Sequence, residues 1–332
     1  MTLSRQFVAI SQNGSFATLL VLSAVSSVKA QPVLRLGYSG MGVTQNLYAV
    51  IDKAGLWTKY NLDVKAIYFN SGSLLGQAMV GGDIDLSDAN IPTMLNLKAA
   101  GMLDVKAVAA WMNRITLSFI ARKVIHAPAK LKGKRIAISR FGSSSDFVTR
   151  LLLRHWKLDP EKDVAIIQSG GNDTIRMAAL MAGHIDGALI GTYDVPRILQ
   201  SGCCINLADL EDLPIDYARF GVVLPTSLIK SRRETSRRFL QGLIEGIYVY
   251  KTRPDLAVSV LKREGVKDAE IGQQKIARAL LEYPLPEEKG IKTALESIGT
   301  PKARAAPASE FIDTTLLEEI KQNGFIDRLY QK

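Results

Sequence analysis

The sequence predicts an α/β protein with two similar lobes, each built on a sheet rich in parallel strands and flanked by helices. An internal repeat is the main reason, because three separated blocks recur at offsets of 100, 100 and 101 residues. Strand and helix patterns alternate within each copy, which favours parallel sheets. The repeated blocks are RLGYSG at 35–40 with RIAISR at 135–140, DV at 63–64 with DV at 163–164, and AMVGGDID at 78–85 with ALMAGHID at 179–186.

The first thirty residues have the pattern of a secretory signal peptide. Arg5 gives a basic start, residues 16–25 form an apolar core, and Ala30 is a small residue that signal peptidase accepts. A buried N-terminal helix is the alternative, but the segment has no charged face. No cysteine near Ala30 offers a site for a lipid anchor. We therefore expect cleavage after Ala30 and a soluble mature chain of 302 residues in a bacterial periplasm.

The composition is that of an ordinary globular protein, with 47% apolar and 22% charged residues. The formal net charge of +10 is spread along the chain, which disfavours a nucleic-acid surface. Beyond the leader, no segment has the roughly eighteen consecutive apolar residues of a membrane-spanning helix. The neighbours Cys203 and Cys204 are expected to be free thiols, because consecutive Cα atoms, about 3.8 Å apart, are closer than an ordinary disulfide prefers.

Each lobe is predicted to contain a β-α-β-α-β unit. Alternating apolar residues indicate the strands, apolar residues at helical spacing indicate the helices, and glycines mark the turns. The first unit has strands at 33–38, 64–69 and 84–89 and helices at 44–54 and 74–80. The second unit has strands at 135–139, 164–168 and 185–190 and helices at 146–156 and 173–181.

Two extended segments are expected to connect the lobes and to form a hinge. Residues 114–121 lead out of the first lobe and residues 220–224 return to it, so the first lobe is discontinuous. The expected organisation is a signal peptide at 1–30, the first part of lobe I at 31–116, lobe II at 117–220, and the return to lobe I with C-terminal helices at 221–332. Those helices are expected at 235–250, 255–263, 270–282 and 309–323.

An ordered set of short motifs resembles a known family. The set is GLW at 55–57, KYNLDV at 59–64, SGS at 71–73, GDID at 82–85 and LKGKRI at 131–136. It is similar to the periplasmic solute-binding proteins of ABC importers in the nitrate, sulfonate and taurine class, which includes thiamine-pyrimidine synthase-like members. The resemblance extends over about residues 34–198 and is weaker in the C-terminal helices.

The resemblance implies a type II periplasmic binding protein fold, in which two α/β lobes close over a small molecule. It also implies a transport role, in which the bound solute is handed to the transmembrane permease of an ABC importer. The repeat and the leader predict the same two-lobed, exported architecture without the family. The function that the sequence favours is binding of a small organic solute, anionic or heteroaromatic, by a monomeric protein.

The candidate ligand-binding residues follow the predicted strands, because ligands bind beyond the carboxyl ends of strands in open parallel sheets. In the first lobe they are Ser39, Gln45, Ser71, Ser73, Asn90, Trp111 and Asn113. In the second lobe they are Arg140, Ser143, Ser144, Ser145, Asn172, Thr192 and Tyr193.

The segment 140–145 is the strongest of these candidates. Free backbone N–H groups, serine hydroxyls and a helix dipole converge there, and helix capping accounts for one serine but not for three. The segment 71–73 opens the matching helix, where capping and ligand contact are equally favoured. Trp111 and Tyr193 are read either as aromatic walls of the site or as core residues. Arg114 fits a carboxylate or sulfonate partner, but a surface position beside the hinge is favoured.

Catalytic groups are scarce, so no enzyme activity, metal or cofactor is expected. His126, His155 and His184 have no metal-ligand spacing, and no nucleophile motif accompanies them. The enzyme alternative is the fungal-type pyrimidine synthase of the same fold, which carries a cysteine-rich iron motif with a reactive lysine and histidine; this chain has only Cys203 and Cys204. A periplasmic sensor that presents its ligand to a receptor is a third reading. Sulfonates, small carboxylates and pyrimidines all remain open as solutes.

The leader generates a direct prediction about the mature protein. N-terminal sequencing of exported material should begin at Gln31, because Ala30 is the small residue that ends the leader. Recovery of full-length chain from the cytoplasm alone would contradict export.

Overall fold

Two five-stranded sheets form the framework of the described part of the chain. The structure is a computed structural model that describes residues 33–39, 43–88, 91–192, 194–263, 266 and 268–331. The expected signal peptide, Asn90 and Tyr193 lie outside the described residues. The strands are β1 Val33–Tyr38, β2 Asp63–Tyr68, β3 Leu86–Asp88, β4 Val105–Ala107, β5 Leu117–Arg122, β6 Arg135–Ile138, β7 Ala165–Gln168, β8 Gly187–Gly191, β9 Cys204–Asp209 and β10 Val222–Pro225.

Both sheets have the same topology. The strand order is β2-β1-β3-β10-β4 in the first sheet and β7-β6-β8-β5-β9 in the second. The first three strands in each order are parallel, and the fourth, β10 or β5, is antiparallel to both of its neighbours. We name the first sheet with its helices lobe I and the second sheet with its helices lobe II. The two-lobed α/β fold predicted from the repeat is confirmed.

The antiparallel strand of each sheet arrives from the other lobe. After lobe I, the chain crosses and enters lobe II as β5, where Phe119 and Ile120 are fully buried between β8 and β9. After lobe II, it crosses back and enters lobe I as β10. The outward crossover predicted at 114–121 is therefore shorter, because residues from 117 onward already belong to a sheet. The antiparallel strand fastens each crossover into the lobe that it enters.

Helices flank both sheets and extend into a C-terminal group. Those before residue 200 are α1 Val43–Lys53, α2 Leu56–Lys59, α3 Gly72–Val80, α4 Ile91–Ala99, α5 Ser144–His155, α6 Asp173–Met181 and α7 Val195–Leu199. The later ones are α8 Thr226–Ser231, α9 Arg233–Thr252, α10 Pro254–Arg263, α11 Ala269–Ala279, α12 Glu288–Ile298, α13 Pro301–Ala305, α14 Thr315–Gln322 and α15 Phe325–Tyr330. Within the described residues, none is long and apolar enough to cross a lipid bilayer.

Among the helices of eight or more residues in the described part of the chain, two were not predicted, and the sequence pattern explains each omission. Helix α4 begins with five consecutive buried residues, 91–95, so it shows no alternation of apolar and polar faces. Helix α12 follows two prolines that resemble a linker, although its buried Ile291, Leu295 and Ile298 have helical spacing. Elsewhere the predicted elements are present, with boundaries shifted by a few residues.

The most regular part of the repeat is a matched pair of arginine–aspartate contacts. Asp85 accepts hydrogen bonds from the backbone N of Arg35 at 2.7 Å and from its Nε at 3.0 Å. Asp186 accepts the equivalent bonds from Arg135 at 2.9 Å and 3.3 Å. Both arginines lie near the amino ends of β1 and β6, whereas candidate binding residues lie at the carboxyl ends. The repeated aspartate is therefore structural: it fastens the loop before β3 or β8 to the neighbouring strand.

The crossovers lie side by side between the lobes. An antiparallel bridge joins Met112 to Phe220, and the backbone N of Trp111 donates to the carbonyl of Phe220 at 3.1 Å. Helix α12 lies against this pair, since the backbone N of Ala218 donates to the carbonyl of Gly290 at 3.2 Å. It contacts α4 of lobe I and α5 of lobe II, and all three helices contribute to one hydrophobic cluster. The hinge thus has a helical support that the sequence did not reveal.

The two adjacent cysteines are free thiols, as expected. Cys204 is buried at the start of β9, while Cys203 is half-buried and its Sγ accepts a hydrogen bond from the hydroxyl of Ser201 at 3.0 Å. Burial raises the pKa of Cys204 to about 12, so this thiol is protonated at neutral pH. The pair lies at the outer edge of the lobe II sheet.

Candidate functional site

A cleft between the lobes collects the carboxyl ends of several strands. It holds about 740 Å³ of empty space, including its open mouth. Lobe I contributes Ser39, Asn70, Ser71 and Gly72, and the crossover region contributes Thr116, Leu117, Arg219 and Phe220. Lobe II contributes Ser139, Ser143, Ser144, Ser145, Gly171, Asn172, Asp173, Arg176, Leu189 and Gly191.

Three helices begin at the wall of this cleft. Ser71 caps α3 by accepting from the backbone N of Leu74 at 3.3 Å. Ser143 caps α5 and Asn172 caps α6 in the same way, each at 3.4 Å. All three cap residues line the cleft. Because the amide groups of a helix's first turn carry partial positive charge, three helix ends together favour a negatively charged ligand.

The serines at the start of α5 have different roles. Ser143 is occupied as the cap, and its hydroxyl also donates to the carbonyl of Arg140 at 2.6 Å. Ser145 accepts from the backbone N of Ser139 at 2.9 Å, and the hydroxyls of Ser139, Ser143 and Ser145 form a closed triangle with 2.9 Å sides. The Oγ of Ser144 is buried and has no hydrogen-bond partner among the described residues. Since a buried hydroxyl without a partner is costly, we expect Ser144 to be the serine that a ligand contacts.

The buried Arg176 pairs with the half-buried Asp173 in the lobe II wall. The Nε of Arg176 donates to the carbonyl of Leu189 at 3.1 Å, its Nη1 donates to the carbonyl of Gly171 at 3.1 Å, and its Nη2 bonds to Asp173. Asp173 also accepts from the backbone N of Gly191 at 2.6 Å. The charges of this pair largely cancel, so its main effect is to hold the loops after β7 and β8 in place.

Arg219 brings a second guanidinium to the cleft from the return crossover. Its Nη1 donates to the hydroxyl of Thr116, on the outward crossover, at 2.5 Å. Its Cζ lies 4.3 Å from the ring centre of Phe220, and that ring stacks on Trp111 with centroids 5.2 Å apart. Because the guanidinium of Arg219 and the indole of Trp111 lie against the ring of Phe220, mainly the edge of this ring is available to the cleft. Arg219 therefore offers a positive charge at the level of the hinge.

Hydrogen bonds between described residues of the two lobes join them beside the cleft. The hydroxyl of Thr93 in lobe I donates to the carbonyl of Gly142 in lobe II at 3.2 Å. The side chain of Tyr68 on β2 forms a hydrogen bond with Asn172, the cap of α6. These contacts bring the start of α5 and the start of α6 against lobe I, so the structure represents a closed arrangement.

The structure separates the residues predicted for the site into three groups. Six line the cleft: Ser39, Ser71, Ser143, Ser144, Ser145 and Asn172. Five lie outside its lining: Ser73, Trp111, Asn113, Arg140 and Thr192. Asn90, Tyr193 and the side chain of Gln45 are not among the described parts of the chain. For every one of these residues, contact with a ligand stays a prediction.

Several residues outside the cleft have structural partners instead. Trp111 is fully buried, and its Nε1 donates to Asp88, which supports the reading of Trp111 as core. Ser73 lies 3.3 Å from the Oγ of Ser71, and Asn113 donates to the carbonyl of Leu285 at 3.5 Å. Arg114 is exposed, in agreement with its expected surface position beside the hinge.

The sequence reasoning missed both arginines of the cleft. The sequence does not indicate Arg219 and Thr116, because the candidates were placed after predicted strands and these two residues lie on the crossovers. Arg176 lies four residues after the cap Asn172, one turn along the helix, so helical spacing from the cap would have found it. Three further lining residues are direct neighbours of predicted ones: Asn70, Ser139 and Asp173. Phe220 was not predicted because it lies on the return crossover.

Comparisons with known proteins agree with this architecture. A family model described as NMT1/THI5 like matches residues 44–257. No curated protein matches the sequence.

Among solved structures, the alkanesulfonate-binding protein SsuA from Xanthomonas axonopodis pv. citri bound to MOPS is similar with 18% identity over 86% of this chain and 96% of that chain, and a TM-score of 0.68. The periplasmic nitrate-binding protein NrtA from Synechocystis PCC 6803 is similar with 13% identity over 88% of both chains and a TM-score of 0.69. A Candida albicans protein with the generic periplasmic binding protein fold has 11% identity over 86% of this chain and 97% of that chain, and a TM-score of 0.71. At such identities the likeness shows the fold.

The different roles of Ser143 and Ser144 predict different effects on stability. Ser143→Ala should lower the free energy of unfolding by about 1 kcal/mol, because it removes a helix cap. Ser144→Ala should not lower it and should raise it by up to about 1 kcal/mol, because the change removes a buried hydroxyl that has no partner. Urea denaturation of both variants measures the difference. Equal destabilisation by the two changes would contradict the division of roles.

Proposed function

The chain belongs to the NMT1/THI5-like family, and we propose that it is the extracytoplasmic solute-binding component of an ABC-type importer. It captures a small organic anion in the cleft between its lobes and delivers it to a membrane permease. The observation that carries this proposal is the cleft itself, where three capped helix starts, the Ser144 hydroxyl and Arg219 face one space. The sulfonate-binding and nitrate-binding proteins of similar fold support the same role.

The charges and amides of the cleft favour an anion over a neutral solute. Arg176 and Arg219 bring two positive charges and Asp173 brings one negative charge, so the ionic groups of the lining leave a surplus of one positive charge. Helix amides and guanidinium groups donate hydrogen bonds and cannot accept them. A ligand that presents several acceptor oxygens, such as a sulfonate or a carboxylate, is matched to this set.

The aromatic content of the cleft disfavours a stacked heteroaromatic ring. Phe220 is the aromatic residue of the described lining, and Trp111 and Arg219 already contact its ring. A pyrimidine is usually bound by stacking on a flat aromatic surface, and the edge of the Phe220 ring does not supply such a surface. Leu117 and Leu189 offer a small apolar wall beside the donors. A short aliphatic group attached to the acid is therefore the organic part that fits best.

The groups in the lining bind and orient; none is arranged as a nucleophile with its base. Ser143 and Ser145 bond to other serines and to backbone, and Ser144 lies at a helix start rich in N–H donors. Binding followed by release is thus the activity that we assign to the cleft. As a further part of the proposal, the protein acts as a periplasmic monomer after loss of residues 1–30.

The lobe boundaries that we propose are 31–116 and 221–332 for lobe I and 117–220 for lobe II. The crossover pair between Met112 and Phe220 supports a hinge at these boundaries. Helix α12 contacts both lobes, so opening has to slide or separate its apolar contact with α5. A hinge with such a support favours small rotations over wide opening.

Isothermal titration calorimetry with nitrate, methanesulfonate and acetate tests the proposal. At least one of these anions should bind, and Arg219→Gln should weaken it about tenfold to a hundredfold, because hydrogen bonds to charged groups contribute about 1.5–3 kcal/mol. Ser144→Ala should weaken it by about tenfold.

Arg114→Gln is the matched control, because it removes one positive charge beside the same hinge from an exposed side chain. This variant should keep the affinity of the unaltered protein. Absence of binding to every anion in the panel, or an equal loss in Arg114→Gln and Arg219→Gln, would contradict the proposal.

A further inference from the structure

Asp88 is a fully buried carboxyl group at the edge of the sheet that faces the cleft. It is the last residue of β3 and has no exposed surface. Its register partner on β1 is Tyr38, and the residue after Tyr38 is Ser39, which lines the cleft. On its other side it pairs with Val222 of β10. The carboxyl group therefore lies behind the lobe I wall of the cleft.

The hydrogen-bond partners of Asp88 are neutral donors. The Nε1 of Trp111 donates to both carboxyl oxygens, at 2.8 Å and 3.0 Å, and the hydroxyl of Tyr48 on α1 donates to Oδ2. Tyr38 on β1 is the register partner of Asp88, and its ring packs on Tyr48. Arg219 lies against Phe220, which stacks on Trp111. Within the described residues, no cation forms a salt bridge with Asp88.

A buried carboxyl group without a cation binds its proton tightly, because burial penalises the charged form. Burial raises the pKa of Asp88 to about 7, while the bonds from Tyr48 and Trp111 act in the opposite direction. Near neutral pH the group thus exists in both forms. Each form places a different charge behind the cleft.

The aromatic stack connects this group to the binding wall. Trp111, which holds the carboxyl group, stacks on Phe220, and the guanidinium of Arg219 lies against Phe220. The stacked side chains of Phe220 and Trp111 therefore link Asp88 to the position of an anion held by Arg219. Two negative charges on the two sides of such a wall oppose each other more strongly than in solvent.

We propose that capture of an anion in the cleft is coupled to uptake of a proton from solvent by Asp88, so that the loaded protein holds Asp88 neutral. The inference rests on the proposed function, because it requires an anionic ligand. Affinity is then highest at acidic pH, where Asp88 is already neutral, and falls as the pH rises and the carboxyl group ionises. Release at higher pH returns the proton to solvent.

Methanesulfonate is the probe, because its acid is strong and it stays an anion throughout the titration. Its affinity should be about threefold to tenfold higher near pH 5.5 than near pH 8.5, because ionisation of Asp88 adds a like charge behind the wall of the cleft. Calorimetry in buffers of different ionisation enthalpy should show uptake of about 0.25 to 0.4 proton per ligand near pH 7.

Two variants test Asp88 itself. Asp88→Asn should bind methanesulfonate with an affinity that does not depend on pH and with no proton uptake. Tyr48→Phe removes a bond that lowers the pKa of Asp88, so the midpoint of the pH profile should move to higher pH. If Asp88→Asn does not fold, the shift in Tyr48→Phe and the proton count of the unaltered protein still decide the proposal.

Asp194→Asn is the matched control. Asp194 lies near Asp173 in lobe II, and burial together with the charge of Asp173 raises its pKa to about 6. This variant should keep the pH profile of the unaltered protein. A constant affinity in the unaltered protein, or a profile that disappears in Asp194→Asn and persists in Asp88→Asn, would overturn the inference. Failure of every anion in the calorimetry panel to bind at any pH would instead count against the proposed function.

Discussion

The pairing of the two crossovers at Met112 and Phe220 is the contact on which the rest of the architecture depends. Each crossover continues into a strand that is antiparallel to its neighbours in the next lobe. Because these strands are fixed in both sheets, the carboxyl ends of the parallel strands face each other across one space. The helix starts that follow those strands then converge on the same cleft. If the crossovers were paired at other residues, these helix starts would not meet at one cleft.

The hinge also supplies part of the binding wall. Thr116 lies on the outward crossover and Arg219 on the return crossover, and a hydrogen bond of 2.5 Å joins them. On the proposed function, a ligand that contacts Arg219 therefore contacts one of the two crossovers that form the proposed hinge. This arrangement couples occupancy to lobe position without a separate signalling element, since differential contact in the two states is sufficient. In the proposed coupling, the protonation state of Asp88 also acts on this crossover, because Asp88 is bonded to Trp111.

The sequence predicted the sheets and part of the cleft, because both follow from periodicity and from the repeat. The Ser144 helix start and the cap Asn172 were found by the rule that ligands bind at strand ends. Arg219 was not found, because its role depends on two distant segments that pair in space. Trp111 was read as a wall or as core, and only its bond to the buried Asp88 separates these readings. Helix α12 was hidden because prolines precede it and its partners belong to two lobes.

The most direct test of the central claim is a crystal structure with 2-bromoethanesulfonate, in which anomalous scattering from bromine locates the ligand. We expect the sulfonate oxygens within hydrogen-bond distance of the Ser144 hydroxyl and the Arg219 guanidinium, with the bromoethyl group near Leu117 and Leu189. Such a position would unite the helix start, the hinge arginine and the apolar wall in one site. Bromine signal confined to the outer surface, while the cleft holds only water, would contradict the assignment of the cleft as the site of anion capture.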